Sequence, residues 1–241
     1  MRRIVQSVSL LSFLALAVIA HGQAARPQFR PAVLKSGAES LVNQINVEEL
    51  SKKGQANGAV MFCAAISKTG DVLKSWTYRG TPGSDALEQE VVKQLQTVKF
   101  TPAIYNHQPV EVLLFATVAF SEAKPHLRIL LNQDPKELRD AKDFIGPQPV
   151  SGGDSKFTGL HPPTITSPEI LSALVGLEIK VDASGNLKEM QVLNEEPPSL
   201  GFADAALSDF REAKFVPAFR DGDPTEAQTV LPVCYKLAPT E

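Results

Sequence analysis

The sequence predicts an α+β fold of two tandem β-β-α-β units, each a three-stranded antiparallel sheet in the order 2-1-3 with a helix packed on one face. Three observations predict it. The block Lys99-Phe100-Thr101-Pro102-Ala103 returns as Lys214-Phe215-Val216-Pro217-Ala218. Sliding the chain on itself by that interval, without a gap, sets Val60 on Val175, Gly70 on Gly185, Pro82 on Pro197, Ser84 on Ser199, Pro109 on Pro224, Glu111 on Glu226, Val118 on Val233 and Phe120 on Tyr235. Each copy also runs through the same signals in the same order: an apolar strand, a Gly turn, a helical stripe, a proline and a closing apolar strand. Two copies are too few for a solenoid, which needs about three or more units, so two related domains are expected.

The opening strand is clearest in the second copy, where Val175, Leu177, Ile179 and Val181 alternate with Gly176, Glu178, Lys180 and Asp182. Such alternation buries one face and leaves the other wet. By the offset, Val60, Phe62, Ala64 and Ile66 point inward in the first copy. Met61, Cys63 and Ala65 then make an apolar outer face, which the helix expected at 39–53 or the second domain must cover. Turns at Gly70 and Gly185 lead into second strands at 72–78 and 187–193. Ser84 and Ser199 are the expected helix N-caps. Leu87, Val91, Leu95 and Val98 form one helical stripe, matched by Phe202, Ala206, Phe210 and Ala213. The helices end before Pro102 and Pro217 because a residue preceding proline is pushed out of helical geometry. Third strands follow at 111–120 and 229–237. Crossing over the helix places each third strand beside the first, at a sheet edge.

The domain plan is a signal peptide at 1–24, a first domain at 25–120, a connecting segment at 121–160 and a second domain at 161–241. Residues 25–35 read as an extended lead-in. In the connecting segment, 126–131 reads as a short strand, Asp134-Pro135 starts a helix running to about Phe144, and 146–156 reads as a Pro/Gly/Ser-rich linker. At the N-terminus, Arg2-Arg3 precedes an apolar run from Val8 to Ala20, and Ala20-His21-Gly22 and Gly22-Gln23-Ala24 fit small-x-small cleavage. That run is shorter than the roughly 20 residues of a membrane span. Export to the periplasm is expected.

A net charge of −3 with scattered cations lacks the basic stripe that follows a phosphate backbone, so nucleic acid is not an expected partner. His21, His107, His126 and His161 are scattered without zinc spacing, and no metal is expected. No nucleophile elbow, phosphate loop or dinucleotide fingerprint occurs, so neither a cofactor nor an enzyme is expected. Glu195-Glu196 and Asp221-Gly222-Asp223 read as solvated turn carboxylates. Phe100 and Phe215 read as core. For Cys63 and Cys234, an inter-domain disulfide and two buried free thiols both stand open in an oxidising compartment.

Gly70, Phe100, Pro102, Pro109 and Phe120, and again Gly185, Phe215, Pro217, Pro224 and Tyr235, are the residues by which the unit resembles the TonB C-terminal domain family. The resemblance implies a periplasmic module that captures an extended peptide of an outer-membrane transporter by adding it to a sheet edge. Energy-transducing members of that family carry a membrane anchor and a long Pro-rich rod, and neither is evident here, so the fold and binding mode are expected rather than energy coupling. The alternative is an envelope scaffold whose two repeats bind each other. The expected partner-binding edge is the third strand of the first domain, Val112, Leu113, Leu114, Phe115, Ala116, Thr117 and Val118, because Pro232 blunts the equivalent strand of the second where the first has Thr117.

Overall fold

The computed structural model describes residues 26–132, 134–140, 143–164 and 172–237. The expected signal peptide at 1–24 lies outside them. The chain is mixed α+β, with mostly antiparallel sheets and few helices. Its first half runs through β1 (Phe29–Arg30), β2 (Val33–Leu34), α1 (Leu41–Gln44), α2 (Val47–Lys52), β3 (Gly58–Ile66), β4 (Val72–Gly80), α3 (Asp85–Leu95), β5 (Phe100–Thr101), β6 (Ala103–Tyr105) and β7 (Gln108–Ser121). Then come β8 (His126–Leu130), α4 (Pro135–Asp140), β9 (Phe144–Ile145) and β10 (Gln148–Ser151). The last part holds β11 (Ser172–Val181), β12 (Leu187–Glu196), α5 (Phe202–Phe210), β13 (Lys214–Val216), β14 (Ala218–Arg220), β15 (Asp223–Thr225) and β16 (Ala227–Lys236). No helix among the described residues is long and apolar enough to cross a membrane.

Strand β3 pairs antiparallel with β4 and β7, and β11 pairs antiparallel with β12 and β16. Register shifts fall between Met61 and Phe62 and between Ala65 and Ile66, and again 115 residues later between Gly176 and Leu177 and between Lys180 and Val181. Each bulge adds one residue and local twist. The lead-in strands obey the same interval. Phe29 faces Tyr105 and Val33 faces Thr101, while Phe144 faces Arg220 and Gln148 faces Val216. The segment 146–156, expected as a free linker, therefore contains a strand. Residues 144–149 occupy in the second half the place that 29–34 occupy in the first. The Gln148 side chain joins the two lead-ins, accepting from the Ala32 amide at 2.7 Å and donating to the Ala32 carbonyl at 2.8 Å.

Two cores form, and they interlock. Val60, Phe62, Ala64 and Ile66 meet Leu87, Val91, Leu95, Val98 and Phe100 in one, joined by Val150, Val216 and Phe219 from beyond the first half. Val175, Leu177, Ile179 and Val181 meet Phe202, Ala206, Phe210 and Phe215 in the other, joined by Cys63, Leu113 and Phe115 of the first sheet. Fully burying a large apolar side chain contributes about 1.5–3 kcal/mol, so these shared residues bind the halves firmly. The outer face of the first sheet is thus covered by the second half. Residues 39–53 fold instead as two short helices split at Ile45-Asn46, with Leu41, Ile45 and Leu50 in the first core. The Asn46 side chain accepts from the Glu49 amide at 3.0 Å and starts α2 anew.

Helix starts differ from expectation. The Ser84 hydroxyl donates to the Thr81 carbonyl rather than capping α3, whose Leu87 amide is taken by Gln55 Oε1 at 3.0 Å. Helix α5 begins after Gly201, not Ser199, and its N-terminus is held by Glu195, which accepts from the amides of Ser199, Leu200 and Phe202. Burial pushes the Glu195 carboxyl upward, but these amides outweigh it and hold the group below the usual range. Glu195 is a structural cap rather than a solvated turn residue. Helix α4 ends at Asp140, and Phe144 belongs to a strand.

The edge reading of Val112 to Val118 is corrected. Thr117 faces Met61 on one side and Leu130 of β8 on the other. At the opposite end, Val112 faces both Ile66 and Val150 of β10. All seven residues are buried. A strand covered on both faces reads as a continuous apolar run, and this run has β10 on its second flank at Val112 and β8 there at Thr117 and Val118.

Candidate interaction surface

Of the strand flanks without a ladder partner among the described residues, the outer flanks of β4, β12 and β16 border the two three-stranded cores. An unpaired flank presents alternate N–H and C=O groups to any extended chain that approaches it. The three are not equally accessible. Pro232 sits within β16 opposite Gly176, and the middle of that strand borders a hollow of only about 20 Å³ shared with Phe115, Asn132 and Gly146–Gln148. Strand β12 carries Lys188, Glu189, Glu195 and Glu196, the charged residues that protect natural edges. Strand β4 has neither proline nor acid, and Leu73 on it is 57% exposed.

The β3–β4 register explains what β4 shows to the second half. Trp76 lies opposite Cys63 and Lys74 opposite Ala65, so they stand on the outer face of the first sheet. A hollow of about 220 Å³ opens there, with Trp76, Val112, Leu113, Phe157 and Leu160 among its walls and Lys74, Glu111 and Lys236 among its polar groups. The segment 157–162 is fixed as a wall by two anchors. Phe157 stacks on Phe210 with ring centres 4.7 Å apart, and Asp209 accepts from the His161 amide at 2.9 Å and from the Tyr235 hydroxyl at 3.0 Å. Burial, with Asp209 beside it, raises the Tyr235 phenol above its ordinary value.

Cys63 and Cys234 are both buried free thiols. Burial, reinforced by the neighbouring Cys234, pushes the Cys63 thiol well up, and burial also raises Cys234 against the pull of Lys236 and Trp76. Cys63 lies opposite Trp76 in the β3–β4 ladder, and Cys234 lines the hollow that Trp76 walls, so both thiols are free on the faces that meet. Of the histidines, the His107 and His126 rings hydrogen-bond the backbone carbonyls of Arg26 and Lys124, and the His161 ring contacts Asp209; His21 lies outside the described residues. Among the described residues no three His, Cys, Asp or Glu side chains gather to hold a metal ion. Sequence reasoning passed over Trp76 and Tyr78. Their signal was the chain's single tryptophan followed two residues later by a tyrosine in a strand, where that spacing sets both on one face.

No curated protein and no solved structure matches the chain. Residues 171–237 match the family described as Gram-negative bacterial TonB protein C-terminal. That stretch spans β11, β12, α5 and β13–β16, with Gly185, Phe215, Pro217, Pro224 and Tyr235 at the positions that carry the likeness. Over residues 171–237 the chain is thus similar to the TonB C-terminal family, whose members are protein-interaction domains.

Proposed function

We propose that the chain is a periplasmic protein-interaction module built of two TonB C-terminal-like units, and that it binds a TonB-dependent outer-membrane transporter, or a peptide of one, by strand addition. The observation that carries the reading is the family match at 171–237 on a sheet whose outer flanks are unpaired among the described residues. The recurrence of pairings and bulges at an interval of 115 residues supports a duplicated unit, with the first copy extending back to the lead-in strand at Phe29. Two tests apply. Isothermal titration of residues 25–241 with the periplasm-facing N-terminal peptide of such a transporter gives saturable binding, and charge or backbone changes in the peptide alter it; no binding to any transporter peptide or intact transporter overturns the reading.

A second reading has its own observation. The outer face of the first sheet shares a core with the second half, and β10 joins β7 to β13. Such mutual burial supports an envelope scaffold whose halves bind each other. In that case the intact chain binds no transporter, and separating the halves unfolds both.

A further inference from the structure

We infer that the hollow between the outer face of the first sheet and the segment 157–162 binds one free α-amino acid with a large apolar side chain. This small-molecule site is separate from the strand flanks and goes beyond the transporter reading. Its floor follows from one small residue. Ala65 on β3 faces Lys74 of β4 on one side and Leu113 of β7 on the other, and a side chain of one carbon leaves room between two longer neighbours. Phe157 and Leu160 wall the hollow on a segment pinned by the Phe157–Phe210 stack and by Asp209, which accepts from the His161 amide. The space is about 220 Å³, below the roughly 300–1,000 Å³ of clefts that take drug-sized ligands. It has room for one large side chain with its head group.

The polar groups specify a head group that carries both signs. Lys74, Lys236 and Glu111 line this hollow, and the neighbouring one along Thr77–Gly80 adds Arg79, Glu88 and Glu196. The two signs balance over the pair of hollows, so the seam selects neither an anion nor a cation. In the second hollow the charges are already engaged: Arg79 is paired with Glu196 at 3.3 Å, and Glu88 accepts from the Thr77 hydroxyl. In the first they are not. Lys74 sits over the Trp76 ring at 5.6 Å, and neither it, Lys236 nor Glu111 has an ion-pair partner among the described residues. Strands β4 and β7 lie two ladder spacings apart, roughly 9–10 Å, so Lys74 and Glu111 flank the hollow from opposite sides of β3. The Trp76 Nε1–H is also buried there without a hydrogen-bond acceptor, and a buried donor left unmet is costly. An amino-acid zwitterion answers all three groups. Its carboxylate meets Lys74 and the indole N–H, its ammonium meets Glu111, and its side chain fills the space between Leu113 and Leu160.

The test uses residues 25–241 and the emission of Trp76, the single tryptophan of the chain. Free leucine changes that emission saturably. Leucinamide, which lacks the carboxylate, and isocaproate, which lacks the ammonium, each bind about tenfold or more weakly, the loss of one hydrogen bond to a charged group. Glycine, which lacks the apolar body, gives no saturable change. Glu111→Gln weakens leucine to the level of isocaproate and leaves both isocaproate binding and the melting temperature unchanged. No saturable binding of free leucine or phenylalanine, by emission and by equilibrium dialysis, overturns the inference. Equal binding of leucine and isocaproate, or an equal loss of both ligands in Glu111→Gln, overturns it as well. Transporter binding is measured separately and stands or falls on its own.

Discussion

The Phe215 amide donates to the Gly185 carbonyl at 3.0 Å, and a Cβ added to Gly185 would stand 2.0 Å from the Phe215 carbonyl oxygen. The first half repeats the relationship, with Phe100 donating to Gly70 at 2.8 Å and the same 2.0 Å approach. Both glycines have positive φ, +81° and +88°. A side chain there meets left-handed strain of about 1–2 kcal/mol and a backbone clash that cannot rotate away. Gly185→Ala and Gly70→Ala are each expected to cost about 3 kcal/mol or more, read as a shift in the denaturant midpoint. A loss below ~0.5 kcal/mol, the range of ordinary surface changes, contradicts the close approach.

The helical stripes make a second prediction. Leu95 and Phe210 are fully buried on equivalent helices. Leu95→Ala is expected to cost about 2–5 kcal/mol and Phe210→Ala about 3–5 kcal/mol, by chemical melts at neutral pH. Losing Phe210 also removes the stack that holds Phe157.

Asp182 supplies a pH prediction. Burial acts to raise its pKa, but the Asn186 and Ser184 amides, the Asn186 side chain and Lys188 overcome this and hold it at about 2. A carboxylate with a lowered folded-state pKa contributes stability above its unfolded value of about 3.8, and the contribution disappears as pH falls through about 2. Allowing for solvent screening, Asp182→Asn is expected to cost about 1 kcal/mol at pH 7 and little at pH 2. Equal losses at both pH values, measured by urea melts, contradict the assignment.

The thiols give a check that does not depend on stability. Cys63 and Cys234 are buried and unbonded, so a thiol reagent is expected to label neither quickly in the native protein and two per chain in denaturant. Finding none in denaturant means that the meeting faces have been joined by a disulfide.

How much of this was legible follows from the range of each interaction. The stripes Leu87 to Val98 and Phe202 to Ala213 showed because helical spacing is local and strongly periodic, and the 115-residue register placed them together. The lead-in at 25–35 showed as extended, but its counterpart at 144–149 did not, since strands of two residues have no periodicity and 29–34 shares little with 144–149 beyond Phe29 and Phe144. The cap at Leu87 comes from Gln55, 32 residues away, which no local capping pattern records. The interior position of Thr117 was legible in the unbroken apolar run around it. The absence of proline instead led toward an edge, although a central strand excludes proline for the same reason. The groove at Trp76 depends on how two halves pack, which neither half encodes alone.

The most direct test of the central claim is titration calorimetry of residues 25–241 against a purified TonB-dependent outer-membrane transporter from the same cell. The account predicts saturable binding that survives Pro232→Thr and is lost when the transporter's periplasmic N-terminal segment is removed. No binding heat, or binding unaffected by removal of that segment, would contradict it.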